Sequence, residues 1–147
     1  MAENIEYKDF EKVDIRVGKI IKAYENNKLK RPSIVIEIDF GPEIGIKKSS
    51  AQLQKNYQSS NLINKQVAAV VNFPKKQIGN IISEVLVLGF PDDTKDPVLV
   101  SPDFENLPSL APNTITPANA AAPPQAWTNV EPAKSEKPAV ASQPPPH

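Results

Sequence analysis

The stretch SIVIEIDFGPEIGIKKSSAQLQKNY, Ser33 to Tyr57, decides the fold class. Its first part alternates. Ile34, Ile36, Ile38 and Phe40 fall on one face and Glu37 and Asp39 on the other, the period of a half-buried strand. Gly41-Pro42 marks a turn. EIGIKK, residues 43–48, follows as a short strand. SSAQLQKNY, residues 49–57, offers a serine cap ahead of good helix formers and predicts a short helix.

The flanks extend this β pattern. VDIRVGKIIKAY, residues 13–24, puts Val13, Ile15 and Val17 on one face and Asp14 and Arg16 on the other. Gly18 breaks that alternation, as at a bulge or a sharp bend. QVAAVVNF (66–73) and EVLVLGF (84–90) are near-continuous apolar strands, and PVLVSPD (97–103) adds a short sixth. Five main strands with one short helix after the third predict an all-β, small curled barrel. The OB-fold (oligonucleotide/oligosaccharide-binding) has five strands and a helix between strands three and four. An SH3-like barrel and a small sandwich are the alternatives.

Composition narrows the chemistry. The 147 residues hold no cysteine, and the single histidine is His147. Disulfides, thiolate metal sites and histidine triads therefore lack material. GxSxG, HExxH, P-loop and GxGxxG motifs are absent. Glu37 and Asp39 are adjacent on one strand face, where cross-strand pairing with lysine explains them better than acid/base catalysis. Asp92, Asp93 and Asp96 lack EF-hand spacing and read as a polar turn. No enzymatic activity, cofactor or metal is expected. MAENIEYKDF has no basic-then-apolar leader pattern, and the longest strictly aliphatic run is Val67 to Val71, far too short to span a bilayer. The expectation is a soluble, cytoplasmic protein with no membrane insertion.

The zero net charge hides an asymmetry. Residues 12–91 carry 13 Lys/Arg against 6 Asp/Glu, a balance of +7, offset by the ends. A basic block suggests an anionic partner such as nucleic acid. Its cations cluster at strand ends: Lys28, Lys30 and Arg31, then Lys47 and Lys48, then Lys75 and Lys76. Ser49, Ser50, Gln52 and Asn72 stand beside them as hydrogen-bond donors. Solubilising charge on loop tips is the other reading. Only 6% of residues are aromatic, with Tyr24, Tyr57 and Phe73 the stacking candidates. That is few for a general single-strand binder, and compatible with recognition of a folded RNA by shape and backbone.

NFPKKQIGNIISEVLVLG, Asn72 to Gly89, combines two of these themes. Lys75 and Lys76 are placed to hold phosphate. Ile78, Ile81 and Ile82 read as a loop that covers a subunit interface, tucks under as satellite core, or lines a peptide groove. Eleven of the sixteen prolines lie between Ser101 and His147. The chain divides into a domain, residues 1–110, and a Pro/Ala-rich disordered tail, residues 111–147. Trp127, the single tryptophan, reads there as a solvated linker residue, or else as a docking anchor.

DFEKVDIRVGKIIKAYE, IEIDFGPEIGIKKSSAQL and LINKQVAAVVNFPKKQIGNIISEVLVLGF, in that order, resemble the CsaA family. That family sits in the wider group of tRNA-binding OB-fold domains found on some aminoacyl-tRNA synthetases and in the endothelial monocyte-activating polypeptide. The resemblance spans about residues 9 to 103. It implies a non-catalytic OB-fold homodimer with two kinds of ligand: structured tRNA, as in the wider group, and unfolded export polypeptides, as for a chaperone of the CsaA branch. It places RNA contacts at Asn72, Lys75, Lys76 and Ser83, with Lys30, Arg31, Lys47, Lys48, Ser49 and Ser50 as further basic or polar positions. Phe73, Ile78, Ile82 and Leu86 are then the expected peptide-binding or dimer contacts. The sequence departs from synthetase-associated members at Val85 and Leu86, where those tend to have Gly-Met, and from the branch's C-terminal turn at Thr114, where Gly is expected.

Overall fold

A computed structural model of the chain describes residues 2–104. The segment up to Lys12 is one unit, and a second begins at Val13. In the first, α1 (Tyr7–Glu11) is a single turn closed by a capping box, in which Glu6 and Asp9 satisfy each other's backbone N–H.

The second unit is built from β1 (Ile15–Asn26), β2 (Ser33–Asp39), β3 (Ile46–Ala51), α2 (Ser59–Leu62), β4 (Gln66–Val70), β5 (Lys76–Ile78), β6 (Ile81–Ser83), β7 (Leu86–Val87), β8 (Gly89–Pro91) and β9 (Pro97–Leu99). β3, β2, β1, β4 and β7 form, in that order, one curled antiparallel sheet. Its two ends meet where β3 runs beside residues 83–85. Glu84 N–H donates to the Lys48 carbonyl at 2.7 Å, and Lys48 N–H donates to Glu84 Oε1 at 2.9 Å. With a helix between the third and fourth strands of the sheet, this is the five-stranded OB-fold barrel. β5–β6 and β8–β9 are additional hairpins.

The inward face read in β2 holds, although Val35 on the opposite face is fully buried as well. Ile34, Ile36, Ile38 and Phe40 are buried and pack with Ile20, Leu53, Leu62, Val67, Ala69 and Val85 in one core. Each such fully buried aliphatic side chain contributes ~1.5–3 kcal/mol. Glu37 stands on the other face, in register with Lys22 of β1 and Lys48 of β3, so the carboxylate lies in a row with lysines. Gly41 and Gly45 take positive φ, 93° and 82°, and close the turn between β2 and β3.

Four expectations are corrected. The helix expected at 49–57 forms instead as one turn at Ser59–Leu62, because Ser49, Ser50 and Ala51 continue β3 in register with β2. Their polar atoms bond across the barrel seam rather than cap a helix. Gly18 is not a bulge: the register shift falls three residues later, between Ile20 and Lys22. A Cβ at Gly18 would lie 2.5 Å from Ile38 Cγ2 and 2.7 Å from Phe40 Cδ1, so Gly18 faces the core and makes room for both. The faces of the first strand are consequently inverted. Arg16 and Gly18 pair with the core residues Ala69 and Val67, while Ile15 pairs with Val70 on the opposite face of the sheet, where Val70 is itself buried. Finally, residues 84–90 are not one strand. Only Leu86–Val87 pairs with β4, and Gly89–Pro91 turns away to pair with β9. The boundary expected near residue 110 and the tail beyond it lie outside the described residues.

Candidate functional site

The segment 72–89 folds as a hairpin and a strand rather than as a loop. β5 and β6 pair Lys76 with Ser83, Gln77 with Ile82 and Ile78 with Ile81 about the Gly79-Asn80 turn. Gly79 has φ of 60°, which favours glycine. Paired residues share a face. Lys76, Ile78, Ile81 and Ser83 therefore look one way, and Gln77 and Ile82 the other.

The first of these faces borders a groove of about 700 Å³. Phe73, Pro74, Val85, Leu86, Val87, Ile78 and Ala51 supply its apolar lining, and Lys75, Lys76, Ser50, Ser83 and Glu84 its polar rim. Phe73 is 51% exposed and Leu86 49%, large apolar surfaces left open at the mouth. Leu86 continues a cross-strand row with Val70 and Ile15. Of the expected residues, the groove thus gathers Ser49, Ser50, Lys75, Lys76, Ser83, Phe73, Ile78 and Leu86. Ile82, 50% exposed, faces away on the opposite side of the hairpin. Lys30, Arg31, Lys47, Lys48 and Asn72 are not in its lining.

Several of the polar groups carry structural bonds. Ser49 is buried and donates its hydroxyl to the Val85 carbonyl at 3.1 Å. Ser83 Oγ accepts Ser50 N–H at 3.0 Å and donates to Ser49 Oγ at 3.3 Å. The hydroxyls of Ser50 and Ser33 are 2.9 Å apart. Asn72 Oδ1 accepts the Asp14 N–H at 2.9 Å and so ties the start of β1 to the end of β4. These serines stitch the barrel seam, where β3 meets side chains instead of a regular ladder.

The cations differ in their freedom. Lys75 Nζ lies 3.5 Å from Glu84 Oε2, whose other oxygen holds Lys48 N–H. Among the described residues, Lys28, Lys30, Arg31 and Lys76 are exposed and take part in none of the ion pairs. Arg16 is the opposite case, with its side chain 11% exposed. It donates to both Asp14 carboxylate oxygens, at 2.9 and 3.1 Å, and to Glu43 at 2.8 Å. These hydrogen bonds, Asp14 first and Glu43 second, push its pKa further above the ordinary arginine value. Sequence reading missed this cluster. The signal available was Glu43 in the turn that closes over the strand bearing Asp14 and Arg16.

The remaining candidates are structural in placement. Tyr57 accepts Leu99 N–H on its hydroxyl at 2.9 Å. Asp92 accepts from Thr94 and Asp96 within the turn between β8 and β9, and from Asn56 at 3.0 Å. The polar-turn reading holds there. Among the described residues no cluster of three metal-ligating side chains occurs, and no helix is long and apolar enough to cross a membrane.

Fold and groove together define an OB-fold domain of tRNA-binding type. The family described as "Putative tRNA binding domain" matches residues 15–108. The crystal structure of chaperone CsaA of Bacillus anthracis str. Ames is 40% identical, covers 78% of this chain and all of its own, and superposes with a TM-score of 0.68. The CsaA chaperone protein of Picrophilus torridus is 45% identical over 77% of this chain and all of its own, also with a TM-score of 0.68. The methionine–tRNA ligase of Pyrococcus horikoshii is 34% identical over 103 residues, 70% of this chain but 14% of the ligase. The chain thus spans about one seventh of the length of that curated relative. It belongs to the CsaA family, within the wider family of tRNA-binding domains.

Proposed function

We propose that the protein is a non-enzymatic, cytoplasmic, homodimeric OB-fold module of residues 1–110 that binds structured RNA of the tRNA type. Lys75 and Lys76 at the groove rim, Lys47 and Lys48 on the facing strand, and Lys30 and Arg31 in the β1–β2 loop take the phosphates. The observation that carries this reading is the pair of adjacent exposed lysines at the mouth of the groove, within the segment matched by the tRNA-binding family. Ser49, Ser50, Ser83 and Asn72 complete the RNA-binding set, and the bonds they make hold the barrel seam and the junction of β1 with β4. Phosphate contacts make log affinity fall with log salt by ~0.7–0.9 per contact. Fluorescence anisotropy of labelled tRNA tests this: salt-sensitive binding, weakened in a Lys75→Ala/Lys76→Ala variant, is expected. Undetectable or salt-independent binding sinks the reading.

The apolar lining favours a second ligand, an unfolded export polypeptide held as by a chaperone. Phe73 and Leu86 are large, exposed and adjacent to the groove, and Ile78 lines it, as a site for apolar side chains requires. Suppression of client aggregation at stoichiometric dimer, lost in Leu86→Ser, is the expected result. No suppression for any unfolded client removes this second role.

A further inference from the structure

The β5–β6 hairpin touches a second basic element at its tip. Asn26, buried at the end of β1, donates through Nδ2 to Asn80 Oδ1 at 3.0 Å. Its Oδ1 accepts Lys28 N–H at 3.2 Å. One buried amide therefore binds the hairpin turn on one side and the start of the β1–β2 loop on the other. Leu29, half-buried in that loop, lies over Gly79 so closely that a Cβ there would collide with Leu29 Cδ2. Gln77 Nε2 also donates to the Gly79 carbonyl at 2.6 Å, which stiffens the turn from within.

Lys28, Lys30 and Arg31 flank Leu29 in sequence, and Lys75 and Lys76 start the hairpin. We infer that Asn26, Leu29, Gly79 and Asn80 form a clamp that holds the two basic clusters in one fixed phosphate track along the hairpin. Gly79 lies three positions after Lys76, about 10 Å at ~3.3 Å per residue. That length exceeds the separation of neighbouring phosphates on one strand, so the track can meet more than one phosphate. A free loop would pay ordering entropy on each encounter, whereas a clamped one presents its charges already in register with Lys76. The clamp residues are positioning residues: they carry no charge and act through Lys30 and Arg31. The inference rests on the proposed RNA reading and adds to it which elements bind as a unit.

The test is the salt dependence of tRNA binding in the full-length chain, measured for wild type, Lys30→Ala/Arg31→Ala, Leu29→Ala/Asn80→Gly, and all four substitutions together. Thermal melts establish that each variant folds. Asn80→Gly alone keeps a turn-forming residue and serves if the double variant does not. Loss of two phosphate contacts flattens the log–log slope by ~1.4–1.8. The clamp variant is expected to flatten it about as much as the charge variant, though it removes no charge, and the combination to add nothing further. A clamp variant that folds and keeps the wild-type slope overturns the inference and leaves the RNA reading intact. Wild-type protein without salt-dependent binding overturns both.

Discussion

Glu84→Gln separates the structural from the electrostatic work of one carboxylate. Oε1 accepts Lys48 N–H at 2.9 Å across the seam, and Oε2 lies 3.5 Å from Lys75 Nζ. Glutamine keeps a carbonyl oxygen for the seam and drops the charge. The ion pair lost is largely solvated, with side-chain exposures of 66% for Lys75 and 25% for Glu84, so its contribution to stability is ~0–1 kcal/mol. For RNA the sign reverses. A phosphate on Lys75 would sit about 7 Å from the Glu84 carboxylate, where like charges repel by ~0.6 kcal/mol at the dielectric of water. Removing that repulsion raises affinity ~3-fold. Releasing Lys75 for full phosphate contact steepens the salt slope by up to ~0.7–0.9. Glu84→Ala provides the contrast: it strands the Lys48 N–H at the seam and costs ~1–3 kcal/mol of stability. Anisotropy titrations with labelled tRNA at several salt concentrations, alongside urea denaturation, read both effects. An unchanged or lowered affinity for Glu84→Gln, in a protein whose binding still depends on Lys75, refutes the reasoning.

Three further outcomes are expected. Gly18→Ala forces a methyl against Ile38 and Phe40 and should destabilise the barrel by ~1–3 kcal/mol, seen as a lower urea midpoint at constant m-value; an unshifted midpoint contradicts the core-facing assignment. Arg16→Ala leaves Asp14 and Glu43 without their shared cation and should cost ~1–3 kcal/mol by the same assay; no loss means the cluster is only a surface contact. Asp92 is held down to about 2, first by the Asn56 side chain, then by Asp96 N–H and Thr94. Its folded value lies below the ordinary 3.8, so its stabilisation is present above about pH 4 and lost as the pH falls towards 2. Asp92→Asn should therefore melt with a flatter acid limb than wild type, and identical pH profiles would show that the turn bonds do not distinguish the charged form.

The alternation of Ile34, Ile36, Ile38 and Phe40 was legible because a strand with one core face writes a period of two directly into the sequence. The order of strands and helix followed, and with it the OB-fold. What failed had tertiary causes. Ser49 and Ser50 look like helix caps in isolation, but their hydroxyls bond to Val85, Ser83 and Ser33, partners 17 to 36 residues distant that no local pattern announces. Val13, Ile15 and Val17 share one face by alternation, and hydrophobicity alone would turn that face inward. Gly18 decides otherwise, since only a missing side chain fits beside Ile38 and Phe40, and Arg16 reaches an inward position by gathering Asp14 and Glu43. The β5–β6 hairpin escaped notice because each arm is three residues, too short for periodicity to register. The lysines of the site were readable as charge on loops. Their grouping was not, because it depends on the closure of the seam and on the contact of Asn80 with Asn26.

The central claim is that RNA binds on the face that carries the groove rim and the hairpin. Backbone amide shifts of isotope-labelled protein titrated with tRNA test it most directly. Perturbations concentrated at residues 28–31, 47–50 and 72–86, fading as salt is raised, are the expected result. Shifts confined to the β8–β9 hairpin, or none at low salt, would contradict the account.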